Sequence, residues 1–318
     1  VTCVSASLLL GVIALIPIVG VYAERKIAGH IQDRLGPYLV GWHGILQTIA
    51  DGVKLVFKED VVPKGADQFC HLLAPVVSFV PIVLVFLAFP FGPGLVALDA
   101  DPGILYILAV SGLPVIGVVL AGWSSNNKYS LLGGLRAAAQ LVSYEVALVM
   151  SLLSVIMAAG TLNITGIVEY QVVHGWFILK PWFWVPAIVY FIAGVAETNR
   201  TPFDIPEAES ELVAGFNTEY SGMKFAILML VEFAEVFVIS FLFAYFFLGG
   251  WDFFGLMLPP VLVLGAKVSL SVAIIMVARW TLPRMRVDRL MEMGWKFLIP
   301  AAFASILIVG VVEKVLAS

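Results

Sequence analysis

Long runs of apolar residues, each about as long as a membrane is thick, alternate with short polar stretches along this chain of 318 residues. A helix needs about 20 mostly apolar residues to cross the hydrocarbon core of a bilayer. The segments that meet this requirement are residues 4–22, 69–89, 103–122, 137–159, 176–196, 225–248, 259–278 and 295–312. The pattern predicts an all-α integral membrane protein with eight transmembrane helices, built as a single polytopic domain over residues 1–318.

The polar stretch after the first run contains a shorter segment with its own helical periodicity. Its apolar arc is formed by Ile45, Leu46, Ile49, Val53, Val56 and Phe57. The opposite arc is polar and includes Asp51 and Lys54. We predict a cytoplasmic-side amphipathic helix that lies in the membrane plane and forms one unit with the first helix over residues 1–68. Taken alone, the segment is explained more simply as a peripheral anchor.

Composition agrees with a membrane protein. Hydrophobic residues make up 61% of the chain and charged residues only 13%, and the mean hydropathy of +1.02 excludes an ordinary soluble domain. The net charge of −4 gives no indication of nucleic-acid binding. The first apolar run has no basic leader or suitably placed small-residue cleavage site, so we expect it to be a retained helix and not a cleaved signal.

Basic residues are distributed unevenly between the two sides of the predicted bundle. Fifteen of the 18 Lys and Arg residues fall in the odd-numbered loops: Arg25, Lys26, Arg34, Lys54, Lys58, Lys64, Lys128, Arg136, Arg200, Lys224, Arg279, Arg284, Arg286, Arg289 and Lys296. The remaining three are Lys180 and Lys314 on the opposite side and Lys267 within the seventh helix. Because an excess of Lys and Arg marks cytoplasmic loops, we expect both termini on the outer, periplasmic side.

The chain has few residues that could bind a metal or a redox group. Its two cysteines, Cys3 and Cys70, lie at apolar segments without Cys-x-x-Cys spacing, and its four histidines are scattered. Two cysteines cannot hold an iron–sulfur cluster, which needs about four ligands. We therefore expect no metal site, no catalytic residue and no redox centre in this chain.

Ionisable residues within the predicted membrane helices are the first candidates for function. Glu145 lies in the middle of the fourth helix, Glu232 and Glu235 share a face of the sixth, and Lys267 lies in the seventh. Charged groups are costly inside a bilayer, so they normally face a cavity, a partner or water. The structural alternative is an ion pair, for example between Lys267 and a glutamate.

The loop after the fifth helix is rich in carboxylates. Residues 196–219 read AETNRTPFDIPEAESELVAGFNTE, and Pro206 can begin a new helix. Glu207 and Glu211 would then share a face at a spacing of four residues. Since neighbouring like charges disfavour full ionisation, we expect some of these acids to hold protons near neutral pH, as a proton relay requires. A solvated acidic loop is the alternative interpretation.

The end of the first helix carries a third group of charged residues. Glu24, Arg25, Lys26 and Arg34 lie at the cytoplasmic boundary, close to the amphipathic segment and to the Leu35-Gly36-Pro37 turn. Anchoring by the positive-inside rule explains Arg25 and Lys26, but it explains Glu24 less well. Charged groups and apolar neighbours at one interface suit a lipid-soluble molecule with a polar head.

At these residues the chain resembles the eight-helix, quinone-binding heel subunit of respiratory complex I. This family comprises the H subunit of bacterial NADH–quinone oxidoreductase and its counterpart in the mitochondrial enzyme. The matching stretches are AERK with QDRLGP, ADGVKLVFKE, SNNKYSLLGGLRAAAQLVSYE, AETNRTPFDIPEAESELVAGFNTEYSGMKFA and ARWTLPRMRVDRLMEMGWK. The resemblance covers nearly the whole chain, in family order.

The resemblance implies a function that composition cannot show. It implies a quinone chamber that includes Glu24, Arg25, Arg34, Asp51, Lys54, Arg200, Arg279 and Arg284. It also implies that a proton path begins at Glu145, Glu197, Asp204, Glu207, Glu209, Glu211, Glu219, Glu232 and Glu235, most of them in or beside the acidic loop of residues 197–224. Phe233 and Glu235 depart from the family pattern, which usually has Tyr and a polar amide there.

The same resemblance implies partners and a location. Quinone would be the substrate, while FMN and iron–sulfur clusters would be held by other subunits. The expected partners are peripheral iron–sulfur and quinone-site subunits, antiporter-like membrane subunits and lipid, in a bacterial inner membrane more than a mitochondrial one. Alternatives are the homologous subunit of a membrane-bound hydrogenase or ferredoxin-linked complex, a stand-alone proton or cation antiporter, and a purely structural anchor.

Overall fold

The computed structural model describes residues 2–98, 101–206, 212–256 and 258–317, and these ranges consist of helices joined by turns. The α-helices are α1 (Thr2–Ile31), α2 (Gln47–Phe57), α3 (Gln68–Leu87), α4 (Gly103–Ser111), α5 (Pro114–Ser124), α6 (Lys128–Ala159), α7 (Ile164–His174), α8 (Trp184–Glu197), α9 (Gly222–Phe247), α10 (Pro260–Thr281), α11 (Val287–Glu292) and α12 (Ile299–Ala317). Short 3₁₀ turns cover Trp42–Gly44, Phe177–Leu179, Pro181–Phe183 and Gly215–Asn217, and a π-helical turn covers Met293–Leu298.

Membrane-length helices dominate the described ranges. Six are long and apolar enough to cross a bilayer: Gln68–Leu87, Gly103–Ser124, Lys128–Ala159, Gly222–Phe247, Pro260–Thr281 and Val287–Val315. The helix α1 adds 30 residues, or about 45 Å at 1.5 Å per residue. The prediction of an all-helical protein with membrane-crossing helices is confirmed at this level.

The predicted helix of residues 176–196 differs most from the structure. Two 3₁₀ turns occupy its first part, and α8 begins only at Trp184. Pro181 is the physical reason, because proline lacks the N–H that a continuous helix would need at that position. The structure also has α7, which apolar runs alone did not indicate, and Asn163 caps its first turn by accepting a hydrogen bond from the Thr165 N–H.

The long helices α6 and α9 form the centre of the bundle. The helix α6 packs against α5, α8 and α12, and α9 packs against α1, α3, α8 and α10. The core around them contains fully buried aromatic residues, namely Tyr144 on α6, Tyr190 on α8 and Tyr245 on α9. Each of these phenols donates to a backbone carbonyl of another segment, so each buried hydroxyl has a partner.

Lys267 is held by backbone oxygens at the end of α9. Its Nζ atom donates to the carbonyls of Leu248 at 2.5 Å, Gly250 at 3.0 Å and Asp252 at 2.5 Å. It also lies 4.0 Å from the centroid of the Trp176 ring. The ammonium thus neutralises the negative end of a helix dipole and ties α10 to the turn after α9. Among the described residues, the partners of Lys267 are thus carbonyl oxygens, and the predicted ion pair with a glutamate is wrong.

A Lys267→Met substitution is expected to lower stability markedly. It keeps the length of the side chain but leaves three buried carbonyls without their donor, at about 1–3 kcal/mol for each unsatisfied group. Lys267→Arg should restore only part of the loss, because a planar guanidinium does not match three convergent oxygens. The thermal unfolding midpoint of the purified protein measures this, with exposed Lys314→Met as the control. Equal midpoints for Lys267→Met and the control would contradict the structural role.

Candidate functional site

The buried part of the site begins at Glu24, on the last third of α1. The predicted membrane run ends at residue 22, but the helix continues to Ile31 and carries Glu24 into the bundle, where the residue is 9% exposed. One carboxylate oxygen accepts a hydrogen bond from Arg279 at the end of α10. The other lies 3.9 Å from a guanidinium nitrogen of Arg200. Glu24 therefore lies between two cations.

Arg200 joins this pair to α9. It lies just after α8, is 4% exposed, and its second terminal nitrogen is 3.8 Å from a carboxylate oxygen of Glu232. Its guanidinium stacks 4.3 Å from the centroid of the Phe233 ring. Two arginines and two glutamates thus alternate in space, and we call Glu24, Arg200, Glu232 and Arg279 the buried ion cluster. Opposite charges at these distances offset much of the desolvation cost that each group would have alone.

A small cavity adjoins the buried ion cluster. It is lined by Glu24, Arg200, Phe233, Val236, Ile275, Met276 and Arg279, and its volume is about 10 Å³. That volume suits about one water molecule. The wall joins charged groups on one side to apolar side chains on the other, and this cavity has no room for a group larger than about one water molecule.

Three further carboxylates lie on neighbouring helices and are half-buried. Glu197 at the end of α8 lies within electrostatic reach of Glu235 on α9 and Glu145 on α6. Its Oε2 atom is shielded from solvent and has no hydrogen-bond partner among the described residues. The positive charge of Arg200 also acts on Glu235. This interaction connects the three acids to the buried ion cluster. We call Glu145, Glu197 and Glu235 the inner acids.

Glu145 lies against a break in a neighbouring helix. A Cβ atom added to Gly112 would lie 2.7 Å from Glu145 Oε1, so the carboxylate fills the space that a side chain would take. Gly112 directly follows α4, and Pro114 begins α5. The carboxylate thus faces backbone whose regular helical pairing is interrupted, and such breaks accompany ion-binding sites in membrane proteins.

The loop that follows α8 is attached to the bundle at both ends. Gln140 on α6 donates to the carbonyls of Ala196 at 2.7 Å and Phe203 at 2.9 Å, and Arg284 donates to Asp204 at 2.7 Å. Farther along, Asn127 donates to Glu219 at 2.7 Å. These bonds position Asp204 and Glu219, which the sequence predicted as members of the acidic loop.

The second attachment depends on a glycine contact. A Cβ atom added to Gly133 on α6 would lie 2.7 Å from the Cα atom of Gly215. The backbone of the loop therefore rests directly on α6, and Gly215 adopts a φ of 55°, which few other residues tolerate. Glu207, Glu209 and Glu211, the remaining predicted acids of this loop, lie outside the described residues.

The outer rim of the site joins α1 to α2. Arg25 Nη1 lies 2.5 Å from Asp51 Oδ2, and Gln47 donates to the other oxygen at 3.1 Å. Partial burial raises the pKa of Asp51, but these two hydrogen bonds and the charges of Arg25 and Lys54 outweigh it, so the pKa lies below its ordinary value. Arg34 is exposed and donates to the nearby Gln32, apart from these pairs.

Sequence reasoning missed a buried ring pair beside the acidic loop. His71 on α3 is fully buried and stacks on Tyr220 with ring centroids 4.1 Å apart. The Tyr220 hydroxyl lies 3.3 Å from Ser124 Oγ, and burial raises the pKa of this phenol to about 12. A histidine in an apolar run was a detectable signal, but its stacking partner lies 149 positions away along the chain.

The sequence matches a known protein family. A family profile described as NADH dehydrogenase matches residues 4–310. The chain belongs to this family. A protein of Dehalococcoides mccartyi, named as the H subunit of NADH-quinone oxidoreductase, is 48% identical over 301 residues, covering 95% of this chain and 84% of the relative. A protein of Anoxybacillus flavithermus with the same name is 49% identical over 300 residues, covering 93% and 89%. The sequence resemblance is thereby confirmed over nearly the whole chain.

Proposed function

We propose that this chain is the membrane-arm subunit of a proton-translocating NADH–quinone oxidoreductase, where it forms part of the quinone chamber and the start of the proton path. The observation that carries the proposal is the continuity of ionisable groups from the buried ion cluster to the inner acids. Family membership supplies the reaction, since the relatives are named for NADH and quinone. The chain takes part in the enzyme as a non-redox subunit.

The proposal includes a membrane arrangement. Eight transmembrane helices cross the bilayer as one domain, with α4 and α5 counted as one crossing, and α8 with its preceding 3₁₀ turns as another. The helix α2 lies in the cytoplasmic interface, because Ile49, Val53 and Phe57 expose half or more of their apolar surface. The basic loops face the cytoplasm of a bacterium and both termini face the periplasm.

The quinone chamber, in this proposal, lies between α1, α2 and the buried ion cluster. Quinone is the substrate and takes up two electrons and two protons on reduction. Arg25, Asp51 and Lys54 line its outer rim, Arg34 lies farther out, and Glu24, Arg200 and Arg279 line its inner wall. Arg284 holds Asp204 at the floor. Because the cavity beside the buried ion cluster is small, peripheral iron–sulfur and quinone-site subunits complete the chamber and hold the FMN and clusters.

The proton path starts where charge in the chamber can reach the inner acids. A change of charge near Arg200 acts on Glu232 at 3.8 Å and on Glu235 through a low-dielectric interior. Glu197 and Glu145 then respond because each carboxylate senses its neighbours. The acids of residues 197–224, including Glu207, Glu209, Glu211 and Glu219, form the branch toward the antiporter-like subunits. This route requires no redox group in the chain.

A pH prediction follows for the rim. Because the folded pKa of Asp51 is depressed, the Arg25–Asp51 pair is present above the unfolded value, near 3.8, and is lost only as pH falls through the lower folded value. Asp51→Asn should therefore raise the KM for quinone by a similar factor at every pH from about 5 to 9. The factor should be small and should shrink in high salt, since both side chains are partly exposed. A factor that varies with pH in this range would contradict the assignment.

The proposed function is tested by isolating the chain with its native partners. Purification from membranes in mild detergent should recover flavin and iron–sulfur subunits, together with inhibitor-sensitive NADH–quinone activity. A nickel–iron subunit in their place would assign the chain to the hydrogenase branch. Recovery as a lone monomer or homodimer would favour an antiporter and overturn the proposal.

A further inference from the structure

A buried amide on α6 holds both ends of the short segment that follows α8. Gln140 is 1% exposed, and its Nε2 atom donates to the carbonyl oxygen of Ala196 at 2.7 Å and to that of Phe203 at 2.9 Å. These two carbonyls lie on either side of residues 197–202, so one side chain fixes the segment at its start and at its end. An NH2 group fits this arrangement because it presents two donors from a single atom.

The same face of α6 contacts the segment at a second point. Tyr144 lies one turn after Gln140, and its ring packs against the ring of Phe203 with centroids 5.8 Å apart. The Tyr144 hydroxyl donates to the Leu290 carbonyl at 2.9 Å, so this ring is itself fixed. Phe203 is thus held through its backbone by Gln140 and through its side chain by Tyr144. Both of these α6 side chains are buried, so water does not compete for either contact.

The segment held in this way joins the two parts of the candidate site. Glu197 directly follows Ala196 and is one of the inner acids, whereas Arg200 is a member of the buried ion cluster. Glu145, another inner acid, lies on α6 five residues after Gln140. The two hydrogen bonds of Gln140 therefore fix the positions of Glu197 and Arg200 relative to the helix that carries Glu145.

We propose that Gln140 is a positioning residue for the coupled reaction. By holding residues 197–202 against α6, it sets the separation between the Arg200 side of the quinone chamber and the inner acids. In this role Gln140 transfers no proton and acts only through Arg200 and Glu197. The inference rests on the proposed function and adds an uncharged side chain to the residues on which coupling depends. If the two bonds are lost, Arg200 and Glu197 shift together, so quinone binding and proton transfer should both suffer in one variant.

A Gln140→Met variant of the intact complex tests the proposal, with a short-chain quinone that the wild type reduces as substrate. Methionine keeps the length of the side chain but donates to neither carbonyl. Turnover per flavin should fall on the order of 10- to 100-fold, as expected when reacting groups are displaced by up to about 1 Å, and the KM for quinone should rise. Gln140→Asn keeps the NH2 on a shorter stem that reaches only one carbonyl. Its turnover should be intermediate, and it keeps the test decisive if methionine prevents assembly.

Gln171 on α7 provides a matched control for loss of stability. It is also 1% exposed, its Nε2 atom donates to the Tyr245 carbonyl at 2.7 Å, and its Oε1 atom accepts from the Gly249 N–H at 3.0 Å. Gln171→Met should lower the thermal unfolding midpoint at least as much as Gln140→Met does. It should nevertheless leave turnover per flavin, the KM for quinone and the proton-to-electron ratio unchanged.

The pattern across these variants decides the role of Gln140. Loss of turnover per flavin in the Gln140 variants, without loss in Gln171→Met, is the expected result. Equal losses in Gln140→Met and Gln171→Met would show that Gln140 only stabilises the fold. Normal turnover per flavin in both Gln140 variants would show that the two hydrogen bonds do not matter to the reaction. Absence of NADH–quinone activity in the wild type would instead overturn the proposed function, and this inference with it.

Discussion

An Arg200→Gln variant is expected to lose most NADH–quinone turnover and to unfold more readily. Arg200 lies near two acids of the buried ion cluster, Glu24 at 3.9 Å and Glu232 at 3.8 Å. Removing one member of a buried ion pair typically costs about 3–5 kcal/mol, because a charge is left in a site prepared for its partner. Steady-state turnover and the half-life of thermal inactivation measure the two effects.

Two further variants separate the role of Arg200 from a general effect of charge. Arg200→Lys should recover only part of the activity, since a single ammonium cannot replace the two terminal nitrogens of a guanidinium. Lys64→Gln removes an exposed cation from the same side of the bundle and should change stability by no more than about 0.5 kcal/mol. If Arg200→Gln behaved like Lys64→Gln, the buried ion cluster would have no part in the reaction.

Glu197→Gln and Glu235→Gln are expected to abolish most coupled proton translocation. Glutamine keeps the shape of each side chain but can neither release nor accept the proton that a relay must pass on. Turnover should fall on the order of 100-fold in a tightly coupled enzyme. This factor lies at the low end of the rate loss that follows removal of a positioned proton-transfer group. Proton uptake by sealed vesicles, measured together with NADH oxidation, gives both the rate and the stoichiometry.

A matched control exists at the other end of the bundle. Glu313 is also a carboxylate at the membrane, where it accepts a hydrogen bond from Trp182 and lies 3.7 Å from Lys180. Glu313→Gln should leave proton stoichiometry unchanged. Normal rate and stoichiometry in both inner-acid variants would show that protons do not pass through Glu197 or Glu235.

The sequence predicted the helices more completely than it predicted their ends. Apolar runs located the membrane helices because burial in lipid demands about 20 such residues. The start of α6 was missed by nine positions because Lys128 and Arg136 interrupt the run, although Asn127 was a readable cap that accepts from the Tyr129 N–H. Helix α1 was predicted too short for the same reason, since Glu24 and Arg25 ended the run.

Candidate site residues could be chosen from the sequence, but their pairing could not. Charges within or beside apolar segments indicated Glu24, Glu145 and Glu232, because a charged group in a bilayer is costly without a purpose. Nothing in the sequence indicates that Arg200 reaches Glu24, which lies 176 positions earlier. For Lys267 the obvious partner was an acid, whereas the structure supplies carbonyl oxygens, which have no sequence signature of their own. Pairing depends on tertiary packing, which a pattern of residue types does not encode.

The continuous helix α1 has a mechanical consequence for the two sides of the chamber. Glu24 and Arg25 are consecutive, so their side chains leave the helix about 100° apart. One reaches Arg279 and Arg200 in the interior, and the other reaches Asp51 on α2. A rotation of α1 about its axis that weakens the contacts of Glu24 therefore also displaces Arg25 relative to Asp51. Changes in the buried ion cluster and in the Arg25–Asp51 pair at the outer rim can thus be coupled through the helix, although no side chain contacts both.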